Sequence, residues 1–183
     1  MAVCKLAHNL TRTQSCGYSL PEIVDIYLAN YEDVSATTIS SGDCQEEISS
    51  ITLASGAKYL HIEPAKNSAS FEDTLVVEDN GNKYRNASVT FNVSGKYDAC
   101  MHDALDALSL GRYFVVIKTA DGNYLALGRV APLEAETVTL AGGSDNNGLS
   151  VTLSGNIAES PLTLSDAAVT ALLANVASDS NNG

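Results

Sequence analysis

The order of apolar and polar positions along the chain predicts strands far more often than helices. Ile23-Val24-Asp25-Ile26-Tyr27-Leu28-Ala29-Asn30-Tyr31 is rich in β-branched and aromatic residues, and Pro21 suits a strand start. Ile48 to Leu53 alternates weakly, and Lys58 to Glu63 alternates clearly. Ala87 to Val93 places Val89, Phe91 and Val93 on one face. Thr137 to Leu140 and Leu149 to Ser154 flank a Gly- and Asn-rich loop, Ala141 to Gly148. Ser40-Ser41-Gly42-Asp43 reads as a turn, and Pro64 to Ser70 as a loop.

Two hairpins are expected. Thr74 to Glu78 leads through Asp79-Asn80-Gly81-Asn82 to Lys83-Tyr84, and Asn-Gly predicts a primed two-residue turn. Phe114 to Lys118 leads through Asp121-Gly122-Asn123 to Tyr124 to Leu127. One helix interrupts the strands. Asp98 suits its N-cap, Gly111 its stop, and Met101, Ala104, Leu105 and Leu108 form one apolar stripe. Ser165 caps a second short helix from Asp166 to Val176. About eight strands with one internal helix predict a mainly β fold, a sandwich or partly open barrel with one flanking helix and a short C-terminal helix. The expected division is an N-terminal arm (1–20), a β-sandwich domain (21–164, helix about 98–110), and a helical extension with a frayed tail (165–183).

The chain has 183 residues, enough for one well-buried core. It shows no apolar stretch of membrane-spanning length and no signal-peptide layout at Met1 to Leu10. Charge narrows the function classes. Ten Lys and Arg oppose 22 Asp and Glu, for a net charge of −12. An acidic surface repels phosphate and disfavours direct gripping of nucleic acid. Every Lys and Arg lies at or before Arg129, whereas Glu134, Glu136, Asp145, Glu159, Asp166 and Asp179 follow it.

Candidate chemistry is sparse. Cys4, His8 and Cys16 cluster, but their spacing fits no standard zinc site. A Cys4–Cys16 disulfide runs against the missing secretion signal. Cys44 has no partner at C-x-x-C spacing, and Cys100 reads as a buried small apolar residue. Asp98, His102 and Asp106 stand at i, i+4 spacings, a pattern that suits a solvated helix face better than a base or a metal site. Asp145-Asn146-Asn147 offers oxygens but lacks the spacing of a calcium loop. Three glycosylation sequons, starting at Asn9, Asn86 and Asn92, read as chance matches. No nucleophile elbow, H-E-x-x-H or P-loop is present, and neither catalysis nor a cofactor is expected.

A resemblance supplies a function. Cys16-Gly17 followed by Ile23 to Val34 resembles the opening of structural proteins from phages of Bacteroides-type hosts. The same holds for Phe91-Asn92-Val93, the helix with Leu105 and Leu108, Gly111 to Ile117, Asp121 to Tyr124, Leu127-Gly128 and Ala141 to Gly148. Over roughly Cys16 to Glu159 the chain resembles tail-tube and tail-ring subunits of tailed phages, crAss-like phages included. That resemblance implies a β-sandwich with a flanking helix and no catalytic residues. It also implies head-to-tail closure into a ring with copies of itself, set against adjacent tail, neck or portal proteins. DNA then passes through the ring without specific binding, and the location is the virion, after synthesis in the host cytoplasm. Glu134, Glu136, Asp145 and Glu159 become candidates for the lumen wall. One alternative is a capsid decoration or head-fibre base protein. A second is a carbohydrate- or calcium-binding sandwich module. That class usually shows exposed aromatics, whereas the chain has no Trp and strand pairing accounts for Tyr113 and Tyr124.

Overall fold

A computed structural model describes residues 22–42, 45–94, 99–143 and 147–178. The chain is mainly β, with two helices and one large mixed sheet that does not close into a barrel. The strands are β1 (Ile23–Asn30), β2 (Val34–Gly42), β3 (Gln45–Leu53), β4 (Leu60–Ile62), β5 (Ser70–Val77) and β6 (Lys83–Val93). Helix α1 (Ala99–Leu110) follows, then β7 (Arg112–Thr119), β8 (Tyr124–Leu127), β9 (Leu133–Ala141), β10 (Gly148–Ile157) and β11 (Leu162–Leu164). Helix α2 (Asp166–Ala174) comes last.

The sheet has two arms that meet at β7. One arm runs β4-β1-β7-β8-β11-β3-β2, and β11 and β3 pair in parallel. The other runs β9-β10-β6-β5 and joins through a two-residue pairing, Arg112 opposite Glu134 and Tyr113 opposite Leu133. The sheet turns a corner there, and the two arms pack face to face. Ile26, Leu28, Val115, Ile117 and Leu127 of the first arm share a core with Val89, Phe91, Val151 and Leu153 of the second. The intervening residues of the first arm, Tyr27, Ala29, Phe114, Val116 and Ala126, face a separate core with Ile48, Tyr59, Ala168 and Leu172. Burial on both faces explains the continuous apolar runs at Ile26–Ala29 and Tyr113–Ile117, where a half-exposed strand alternates.

Helix α2 is therefore part of the body and not an appendage. Ser165 caps it by accepting from the Ala168 N–H, and Ala168 and Leu172 are buried. The chain beyond it is tied to Tyr59: Tyr59 N–H donates to Asn175 O, and Ala177 N–H donates to Tyr59 O.

Other expectations need correction. Ser40, Ser41 and Gly42 belong to β2, so the expected turn is shorter than its sequence suggests. Among the described residues eleven strands form where about eight are expected. The first hairpin does not use the expected primed turn. Gly81 N–H donates to Glu78 O and Glu78 N–H to Asn82 O, with Gly81 at φ +86° and Asn80 not at positive φ. Gly122, also at φ +86°, repeats the arrangement between Thr119 and Asn123. Each is a three-residue loop whose last position is left-handed, and glycine adopts that conformation without a Cβ clash.

Candidate functional site

The outer face of the second arm carries polar side chains in regular rows. Cross-strand partners share a face, so register alone defines its rows. Ser70, Thr90, Thr152 and Thr137 form one row across β5, β6, β10 and β9. Glu72, Ser88, Ser154 and Glu134 form the next. Asn92, Ser150 and Thr139 flank the grid on one side, and Thr74, Asn86 and Asn156 on the other. None of these positions is Lys or Arg.

The grid is held by its own hydrogen bonds. The Thr90 and Thr152 hydroxyls lie 3.1 Å apart, Asn86 Nδ2 donates to Asn156 Oδ1 at 3.0 Å, and Thr74 Oγ1 donates to Glu72 Oε1 at 2.9 Å. Threonine suits both the pleat and the task, because its branched Cβ favours strands and its hydroxyl bonds sideways. The basic residues of β6 point to the opposite face. Lys83 stands across from Val77 and Arg85 from Leu75, and Arg85 pairs with Asp73 at 2.6 Å. Arg112 borders the grid at the corner beside Glu134, but its guanidinium turns to Glu32.

The four expected wall residues divide. Glu134 sits in the grid and is exposed. Glu136 is also exposed, and it is the extra residue of a β-bulge between Thr137 and Ala135. Glu159 has a different environment. It is only partly exposed and binds Arg129 through both carboxylate oxygens, with Nε at 2.8 and 3.1 Å, so its charge is locally neutralised. Asp145 lies outside the described residues.

A second polar cluster escaped sequence reasoning. Asp25 on β1 accepts from Lys118 Nζ at 2.8 Å and lies 2.8 Å from His61 Nε2. Tyr27 stacks on His61, ring centroids 5.1 Å apart, and on Tyr124 at 6.3 Å. Burial alone would raise the Asp25 carboxyl; the hydrogen bonds from Lys118 and His61 outweigh it and hold the group below its ordinary 3.8. The hydrogen bond to Asp25 pushes Lys118 up. Burial, with the Asp25 charge adding, pushes Tyr27 up. The cluster needs β4 beside β1 and β1 beside β7, which no local pattern announces.

Tyr113 is buried, and its hydroxyl donates to Ala107 O at 2.5 Å, so it offers no stacking surface to a sugar. Tyr124 is half-buried against Tyr27. His102 and Asp106 are exposed on α1, whereas Asp98 lies outside the described residues, as do Cys4, His8, Cys16 and Cys44. Among the described residues no three His, Cys, Asp or Glu side chains gather as a metal-holding group. No described helix is long and apolar enough to cross a membrane. No family model, curated protein or solved structure matches the chain.

Proposed function

We propose that the chain is a virion structural subunit, a tail or neck protein that closes into a ring and lines a conduit for genome passage. The cation-free outer face of β5, β6, β10 and β9 carries this reading. A duplex passing such a wall meets hydroxyls and amides that exchange readily with water. Glu72 and Glu134 repel its phosphates, and no Lys or Arg grips them. In this reading Glu134 and Glu136 are wall residues and Glu159 is a structural ion-pair partner. The neighbours are further copies of the chain and the adjoining tail, neck or portal proteins. The edge strand β5 supports ring contacts, because it pairs only with β6 and leaves Phe71, Leu75 and Val77 partly exposed.

The test is electron microscopy of the purified protein over a concentration series, with mass from light scattering. Closed rings with a central hole are expected. Trimers, or monomers that bind only to capsids, would favour a decoration protein instead.

A further inference from the structure

Helix α1 is docked loosely. Of its described side chains only Leu108 is buried, Leu105 is half-buried, and Ala104 and Ala107 are exposed. A cleft of about 490 Å³ opens beneath it at the end of the sandwich. That lies within the roughly 300–1,000 Å³ of ordinary binding pockets. Its walls are apolar: Leu28, Phe91 and Leu149 from the sandwich, and Leu60 and Ile62 from the short edge strand β4. Leu60 is 52% exposed. The charged lining residue is an acid, Glu63, and α1 adds Asp103 and Asp106 beside Ala104 and Ala107. Among the described residues no Lys or Arg lines the cleft.

The chain contains a segment of matching character. Residues 1–21 hold Lys5 and Arg12 and no Asp or Glu, although acids outnumber bases more than twofold in the whole sequence. Apolar Val3, Leu6 and Leu10 are interleaved with those cations at spacings of three and four. We propose that this segment, residues 1–12, docks in the α1 cleft of a second copy. The inference rests on the ring reading and names a second contact of the ring, beside that of the β5 edge. One observation favours a second copy over the same chain. Copies of net charge −12 repel one another, and a basic segment placed on an acidic neighbour offsets that repulsion. An arm of one copy in the cleft of the next is a heterologous contact, the kind that closes rings.

Site-directed cross-linking of the full chain tests this, because Cys4 already lies in the segment. Both partners carry Cys16→Ser, Cys44→Ser and Cys100→Ser. One keeps Cys4; the other carries Cys4→Ser and Ala104→Cys. They are mixed and treated with a short bismaleimide, and circular dichroism checks that each is folded. A dimer-mass product that requires both cysteines is expected. It should fall several-fold in 0.5 M salt, a condition chosen to screen charge over roughly 4 Å, and again with Glu63→Lys. Ala107→Cys serves as a second acceptor if Ala104→Cys does not fold. No dimer product, or cross-linking only within a chain carrying both cysteines, overturns the proposal. Microscopy of the same samples separates the two levels. Rings without the cross-link refute the arm alone, whereas cross-linked dimers without rings refute the ring and leave the arm.

Discussion

Tyr113 fills the space that a side chain on Gly111 would need. Its ring and hydroxyl crowd the ideal Cβ position, and Ala107 O lies 2.8 Å from it. Gly111 N–H also donates to Ala107 O, so one carbonyl near the end of α1 accepts from both residues. Glycine stops the helix here because of a close approach and not a left-handed backbone, since Gly111 is not among the positive-φ residues.

Gly111→Ala should therefore destabilise the fold by about 2 kcal/mol, the scale of overpacking a close contact. Tyr113→Phe should cost about 1 kcal/mol through the lost hydrogen bond. Urea titration of each variant measures both. An unchanged midpoint for Gly111→Ala would mean that α1 does not end against Tyr113.

Asp25 gives a pH dependence. Its folded-state pKa is lowered, so its contribution to stability is present above the ordinary 3.8 and is lost as pH falls through the folded value. Stability should decline below about pH 4, and Asp25→Asn should flatten that limb. At pH 7 the same substitution should cost about 1–3 kcal/mol, because Lys118 loses a charged partner. Denaturant midpoints from pH 2.5 to 7 check both the sign and the window.

The polar wall makes a prediction about DNA. The native chain should not bind duplex measurably at moderate salt. Thr139→Lys with Thr137→Lys places two cations on the grid and should create binding that weakens steeply with salt. Monomer stability should stay within about 0.5 kcal/mol, as for ordinary surface changes. Fluorescence anisotropy on a labelled duplex reads the first effect and thermal melting the second.

The edge strand makes another. Leu75→Glu with Val77→Glu removes two apolar side chains exposed at 53% and 56%. The hairpin should survive, because β5 keeps its full ladder with β6. Self-association should fall by at least tenfold in sedimentation equilibrium. Unchanged association would place the subunit contact elsewhere.

The legible parts of the fold were those encoded locally. The β7–β8 hairpin announces itself by a dense apolar run, Asp121-Gly122 and a second run, and Ser165 marks the start of α2. Strand β2 was less readable because Ser40-Ser41-Gly42 has turn chemistry, yet pairing with β3 holds it extended. Strand β11, three residues long, carries no period to detect. Glu134 was legible as an acid beyond the last cation, but the hydroxyl rows around it exist only once β5, β6, β10 and β9 are in register. The pairing of Glu159 with Arg129 joins segments 30 positions apart, so composition counted a free charge where the fold has a neutral pair.

A reconstruction of the assembled particle, resolved well enough to place β9 and β10, tests the central claim most directly. The account predicts a closed ring whose hole is lined by the row Ser70, Thr90, Thr152 and Thr137, with Glu134 beside it. A hole lined by Lys or Arg, or a chain that stays monomeric and forms no ring in any particle, would contradict it.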